Sequence, residues 1–118
     1  MDKFFEIPIL YDYYGDFLTD KQKQAIYFYY NLNYSLAEIG EKMGITRQGV
    51  RDTLVRSEEA LYNFEKKLKL VEKFNRINKV ISDSITGLKK AQDHILDRIA
   101  IDEIKKVQAE LEGLLEEN

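Results

Sequence analysis

The sequence predicts an all-α protein, and three observations support that fold class. The 118 residues include one proline, Pro8, and six glycines, so few positions would interrupt a helical backbone. Apolar residues make up 44% of the chain and recur at intervals of three and four along most of it. Two Ser/Thr-x-x-Glu/Gln motifs, which begin at Thr19 and Ser35, are typical of helix N-termini.

The N-terminal third predicts two helices. The first is expected at about 6–17, and Pro8 fits within its first turn. The second is expected at about 20–31, with Thr19 as its N-cap and Gln22 completing a capping box. A dense set of aromatic residues at 27–34 could pack around the core or form a stacking surface for bases. Because this run contains no Lys or Arg, packing is the favoured interpretation.

The segment Ser35–Leu61 predicts a helix, a short turn and a second helix, which is the layout of a helix-turn-helix unit. Ser35 and Glu38 form the second capping box, Gly44 can adopt the left-handed backbone of the turn, and Thr46 caps the second helix. The apolar residues fall on the faces that would meet: Leu36, Ile39, Met43, Ile45, Val50 and Leu54.

The second helix of this unit leaves Arg47, Gln48 and Arg51 on its outer face. A DNA-binding helix-turn-helix reads base edges from such positions, where Arg pairs with guanine and Gln with adenine. We therefore expect these three side chains to contact bases, and Thr46 and Arg56 to contact phosphates. Three acidic residues of the same helix would repel a phosphate backbone: Asp52, Glu58 and Glu59.

The run LTDKQKQAIYFYYNLNYSLAEIGEKMGITRQGV (18–50), continued by RSEEALYNFEKKLKL (56–70), resembles the YlxM family. This is a small bacterial group related to the fourth region of housekeeping sigma factors. The resemblance implies an all-helical protein with a sigma-like helix-turn-helix head. It also implies a role beside the signal recognition particle, because the family's genes neighbour that of the particle's GTPase. Two positions depart from the sigma-like pattern, which usually has glycine at Asn33 and alanine at Gly40.

Beyond the helix-turn-helix, the sequence predicts long helices. The second helix of the unit continues to about Leu70, and a break near 69–73 is expected because the apolar phase shifts there. Asp102 is expected to cap a last helix, and the apolar seam before it is expected at Phe74, Ile77, Ile81, Ser84, Leu88, Ala91 and Ile95. We therefore divide the chain into a helix-turn-helix head, 1–64, and a helical extension, 65–118. The narrow seams of the extension must be buried, either on the head or in a homodimer, and the homodimer is favoured.

The net charge of −3 is unevenly distributed. Residues 65–90 carry eight basic and three acidic side chains, whereas 91–118 carry three basic and eight acidic ones. Four basic residues would share one face if the helix were continuous, and could contact phosphates: Lys66, Lys69, Lys73 and Arg76. The favoured alternative is that this face is simply solvated or pairs with the acidic tail.

The sequence offers little catalytic chemistry. It has no cysteine, one histidine (His94), no phosphate-binding loop and no metal-ligand spacing. We therefore expect no enzymatic activity, metal, cofactor or small-molecule substrate. The chain also lacks an apolar run of eighteen residues, so we expect no membrane insertion and a cytoplasmic protein.

Two functional hypotheses follow. The first is a non-enzymatic helix-turn-helix regulatory protein that takes part in the signal recognition particle pathway through the particle's GTPase or its RNA, as the resemblance implies. The second is a DNA-binding transcriptional regulator that uses residues 46–57 as its recognition helix.

Overall fold

The computed structural model describes residues 2–116 and confirms the all-α class. Within that range the backbone forms six α-helices and no strand: α1 (Lys3–Tyr14), α2 (Asp20–Ile26), α3 (Leu36–Met43), α4 (Arg47–Leu68), α5 (Leu70–Gln92) and α6 (Arg98–Glu116). The described chain divides into two compact units between Val71 and Glu72. The division expected after residue 64 would fall inside α4. Whether the extension packs on the head or dimerises stays a prediction.

Capping residues determine where the first two helices begin. Asp2 accepts the backbone N–H of Phe4, so α1 begins three residues earlier than expected, and a 3₁₀ turn (Gly15–Phe17) follows it. The Thr19 capping box is confirmed by reciprocal bonds of 3.2 and 3.0 Å with Gln22. After α2 the chain stays helical to Asn31, as expected, but as a wide π-helical turn (Tyr27–Asn31). Sequence periodicity does not predict that turn.

The helix-turn-helix forms as predicted. Ser35 and Glu38 bond reciprocally at the start of α3, and Gly44 ends that helix with φ 69°. Asn33 has φ 56°, a left-handed conformation that asparagine adopts more readily than most residues, so it can stand where the sigma-like pattern has glycine. A Cβ added to Gly40 would lie 2.8 Å from the carbonyl oxygen of Ile45. Glycine at this position therefore lets the turn approach α3 closely.

Helix α4 is the centre of the first unit, because it contacts α1, α2 and α3. The buried core of this unit is apolar: Ile7, Leu10, Tyr14, Leu18, Ala25, Ile26, Ile39, Val50, Leu54 and Leu61. Four of the aromatic residues at 27–34 pack against it, which confirms the packing interpretation for Phe28, Tyr29, Tyr30 and Tyr34. Tyr27 is 44% exposed.

The break expected near 69–73 is confirmed at Lys69, which has φ 53° and separates α4 from α5. The buried hydroxyl of Tyr14 holds this joint, since it donates to Glu65 Oε1 (2.5 Å) and accepts the N–H of Leu70 (3.0 Å). The N–H of Val71 donates to the same carboxylate oxygen at 3.1 Å. Burial, and then the bond to Glu65, raise the pKa of Tyr14 above its usual value, so the hydroxyl keeps its proton.

The second unit contains most of α5 and all of α6. Gln92 donates to Gln108 (2.8 Å) and Lys89 lies 4.0 Å from Glu112, a pairing order that makes the two helices antiparallel. The expected cap at Asp102 is wrong, because α6 begins at Arg98 and Asp97 accepts the N–H of Ile99. The expected α5 seam is partly wrong: Ser84 is exposed, whereas Ile81 and Ile85 are the buried residues of this helix.

Candidate nucleic-acid interface

The N-terminus of α4 presents the candidate site. Thr46 has an extended backbone, and its Oγ1 accepts the N–H of Gly49 at 3.0 Å, so the predicted cap is confirmed. A Cβ on residue 49 would lie 3.2 Å from that oxygen, so glycine leaves room for the cap. The hydroxyl hydrogen of Thr46 can still be donated to a phosphate.

The three predicted base-reading residues, Arg47, Gln48 and Arg51, are all exposed around the first turns of α4. Arg56 is exposed as well, but it lies about 180° around the helix from Arg47, nine residues earlier. The structure therefore brings Arg47, Gln48 and Arg51 together and places Arg56 on the opposite edge of the same helix. A helix lying in a groove has a phosphate strand along each edge, so the two positions suit different strands.

The Gln48 side chain is held by a neighbour on the same helix, because its Nε2 donates to Asp52 Oδ1 at 3.0 Å. This bond orients the amide and leaves its carbonyl oxygen and second N–H exposed at the surface. The i,i+4 spacing of Gln48 and Asp52 is a sequence signal that could have predicted the pair. Asp52 therefore affects the candidate site by fixing the orientation of the Gln48 amide as well as by its own negative charge.

Glu58 differs from the other two acidic residues expected to repel a phosphate backbone, because its side chain is turned away from the outer face and already paired. Its side chain is only 12% exposed, accepts the Tyr30 hydroxyl at 2.8 Å and pairs with Lys3 at 3.1 Å. The bond and the charge of Glu58 raise the pKa of Lys3. Burial, and then the bond to Glu58, raise the pKa of Tyr30. Asp52 and Glu59 remain exposed acidic residues of α4.

A groove of about 360 Å³ borders Arg51 and was not predicted from the sequence. Its apolar wall includes Phe4 and Tyr29, whose rings stack with centroids 6.2 Å apart, and Val55 of α4. These residues belong to three separated segments, so no local pattern relates them. The groove extends the surface around Arg51 towards the N-terminus of α1.

The basic residues beyond the helix-turn-helix do not form the face that the sequence suggested. That face required one continuous helix, but α4 ends at Leu68 and Lys69 adopts a left-handed conformation. Lys66 and Lys69 belong to the first unit, whereas Lys73 and Arg76 belong to the second. The condition for a shared helical face, one continuous helix, is therefore not met, and contact of these residues with phosphates stays a proposal.

Other kinds of site find little support within residues 2–116. No group of three or more histidine and acidic side chains in that range could hold a metal ion. None of the described helices is both long and apolar enough to cross a membrane.

The capped turn, the close approach at Gly40 and the exposed first turns of α4 define a helix-turn-helix protein. The sequence profile of the UPF0122 family, "helix-turn-helix protein, YlxM / p13 like", matches residues 1–101. The chain belongs to this family, as the motifs at 18–50 and 56–70 had indicated.

Relatives in several bacteria support this assignment. The chain is 41% identical over 116 residues to a UPF0122 protein of Thermoanaerobacter sp. (strain X514), covering 98% of this chain and 96% of the relative. It is 46% identical over 88 residues to a UPF0122 protein of Desulforamulus reducens, covering 75% of each chain. A UPF0122 protein of Acetivibrio thermocellus is 39% identical over 107 residues, which is 84% of this chain and 92% of the relative.

Proposed function

We propose that this protein is a nucleic-acid-binding regulator that inserts the first turns of α4 into the major groove of duplex DNA. The observation that carries this proposal is the joint exposure of Arg47, Gln48 and Arg51 at the capped N-terminus of the second helix of a helix-turn-helix. That helix is the one that such proteins place in the groove.

The side chains suggest how the contacts are shared. Arg47, Gln48 and Arg51 contact base edges, and a good bidentate pair contributes about 1–3 kcal/mol of discrimination. Thr46 and Arg56 contact phosphates on the two sides of the helix. Lys66 and Lys69 are further phosphate contacts if the duplex extends past the end of α4, and Lys73 and Arg76 if it also reaches the second unit.

The overall charge limits the strength of this interaction. The chain carries −3, and Asp52 and Glu59 are exposed on the binding helix. Because non-specific affinity depends on released counterions, we expect weak binding that falls steeply as salt is added. A homodimer would present two heads to two half-sites and raise the affinity without a more basic surface.

The test is a fluorescence-anisotropy titration of mixed-sequence duplex DNA at low salt. The Arg47→Ala, Arg51→Ala double variant is expected to bind at least about tenfold more weakly than wild type. The matched control is Lys21→Ala with Lys105→Ala, which removes two exposed positive charges elsewhere. If both double variants weakened DNA binding equally, net charge alone would explain the loss. That result would contradict the assignment of the DNA contact to α4.

A second candidate function is favoured by the exposed acids Asp52 and Glu59 on α4, which suit a protein partner better than a phosphate backbone. The family resemblance implies that this partner belongs to the signal recognition particle pathway, acting through its GTPase or its RNA, in the cytoplasm. Under this hypothesis the helix-turn-helix serves as a scaffold.

This second function is tested by measuring the GTPase rate of the particle's GTPase with and without this protein. Each measurement is made in the presence and absence of the particle RNA. A changed rate that survives Arg47→Ala with Arg51→Ala would assign the effect to a surface other than the DNA-reading one. An unchanged rate under all conditions contradicts the hypothesis.

A further inference from the structure

Helix α1 is apolar on two opposite sides, although only one of them faces the core of its unit. Ile7, Leu10 and Tyr14 are buried on the inner side. The outer side carries an apolar stripe at steps of four residues, Phe5, Ile9 and Tyr13, of which Phe5 is 67% exposed. Phe17, in the 3₁₀ turn that follows α1, is 66% exposed, and its ring centroid lies 5.4 Å from that of Phe64. A helix that is apolar all round is normally covered on all sides, and aligned exposed apolar residues mark an interaction surface.

Acidic residues border this outer α1 stripe. Asp12 lies along one edge and Glu6 along the other, and Asp2 caps the start of the helix. Asp16 follows Asp12 in the 3₁₀ turn, where its carboxylate lies 4.0 Å from Lys23 Nζ. Residues 2–17 contain four acidic side chains and a single basic one, Lys3, which is paired with Glu58. The stripe is therefore suited to an apolar helix face flanked by positive charge.

Helix α5 carries a face of that kind. Lys73, Arg76, Ile77 and Val80 follow the i, i+3, i+4, i+7 spacing of one helical side, and all four are exposed, Val80 by 59%. This α5 basic patch lies on a helix with five basic and two acidic residues. Its buried residues, Ile81 and Ile85, continue from Ile77 at four-residue steps and so lie along one edge of the patch. The patch therefore has both the apolar centre and the positive border that the α1 stripe requires.

We propose that two copies of this chain associate by docking the α5 basic patch of each copy onto the outer α1 stripe of the other. A reciprocal arrangement about a two-fold axis uses both pairs of surfaces at once and closes the assembly at two chains. Lys73 and Arg76 of one copy then lie against Asp12 and Asp16 of the other, while Ile77 and Val80 cover Phe5 and Ile9. This contact requires no nucleic acid, so it can fail or succeed independently of the proposed DNA binding.

Charge exchange tests the contact directly. One variant carries Asp12→Lys and Asp16→Lys, and a second carries Lys73→Glu and Arg76→Glu. Positive charge near the C-terminal end of α1 and negative charge near the N-terminal end of α5 both interact favourably with the helix dipole and so stabilise the helices. Loss of association in these variants would therefore not reflect loss of the helices, and circular dichroism of each variant verifies this.

Solution mass is measured by sedimentation equilibrium at micromolar concentration. Wild type is expected at about twice the chain mass of 13.9 kDa. Each variant alone is expected to associate at least about tenfold more weakly, because like charges then face each other in both contacts. An equimolar mixture of the two variants is expected to regain the dimer, since each contact again pairs opposite charges. The control pair Glu41→Lys with Glu110→Lys, made at exposed acids away from both surfaces, is expected to leave the dimer unchanged.

Three results would overturn the proposal. The first is a monomeric wild type, and the second is a dimer that neither variant weakens. The third is rescue only when all four substitutions are combined in one chain and not when the two variants are mixed. That last result would assign the charge pairing to a contact within one chain. None of these measurements uses DNA, so they leave the test of α4 separate.

Discussion

Tyr14 joins three segments of the first unit through one buried hydroxyl. It lies on α1, donates to Glu65 of α4 and accepts the N–H of Leu70, the first residue of α5. The left-handed Lys69 between α4 and α5 leaves backbone N–H groups at this joint that need acceptors, and Tyr14 and Glu65 supply them. We infer that the end of the long helix is fixed by this pair of side chains.

Replacing Tyr14 by Phe should therefore destabilise the protein by about 1–3 kcal/mol, because the part-buried N–H of Leu70 loses its acceptor and the Glu65 carboxylate loses one of its donors while the ring is kept. Urea denaturation followed by circular dichroism measures the change. Tyr27→Phe, at a residue that is 44% exposed, is the matched control and should shift the unfolding free energy by less than about 0.5 kcal/mol. A Tyr14→Phe protein as stable as the control would show that the joint does not depend on this hydroxyl.

Local residue patterns were sufficient to predict the caps of the helix-turn-helix but not the long-range pairs. Ser35 with Glu38 and Thr46 with Gly49 are three residues apart, so the backbone geometry of a helix start dictates their bonds. Glu58 bonds to Tyr30 and Lys3, which are 28 and 55 residues away. Only the packed structure brings those groups together, so the sequence did not reveal that the charge of Glu58 is paired and largely buried.

At the scale of elements, the helix-turn-helix depends on how closely its turn approaches α3. Gly40 faces the Ile45 carbonyl oxygen, which a methyl group would approach to 2.8 Å. Gly87 lies within α5 and has no atom within 4 Å of an added Cβ. The two glycines thus occupy similar helical backbone in opposite surroundings.

Alanine substitutions at these two positions should therefore change the free energy of unfolding in opposite directions. Gly40→Ala is expected to cost about 1–3 kcal/mol, because the backbone of the turn must move. Gly87→Ala is expected to add about 0.5–1 kcal/mol, since alanine restricts the unfolded chain and favours helix. Denaturant unfolding of both variants measures the difference. A stabilising Gly40→Ala would contradict the close packing of the turn against α3.

Helix boundaries were predicted correctly where one local signal marked them and wrongly where two similar local signals competed. The phase shift of apolar residues located the break at Lys69, whereas Asp102 was taken as a cap although Asp97 supplies the bond at the start of α6. The two aspartates look alike in sequence, because each precedes an apolar helical pattern. The π-helical turn at Tyr27–Asn31 has no periodicity of its own and could not be predicted.

At the scale of the whole molecule, three surfaces of different chemistry lie on three different helices. The side chains proposed to read DNA lie on α4, the acidic apolar stripe on α1 and the basic apolar patch on α5. The proposals assign nucleic acid to the first of these surfaces and a second copy of the chain to the other two. The order of charged residues in the sequence showed the unequal charge distribution, but a helical fold was needed to identify which side chains share a surface.

The central claim is that α4 contacts nucleic acid through Arg47, Gln48 and Arg51. The most direct measurement is the affinity of wild type and the Arg47→Ala, Arg51→Ala variant for mixed-sequence duplex DNA across a series of salt concentrations. Wild type should bind at low salt, with a logarithmic affinity that falls linearly with the logarithm of salt concentration, and the variant should bind at least about tenfold more weakly. No binding by wild type at the lowest salt, or equal binding by the variant, would contradict the claim.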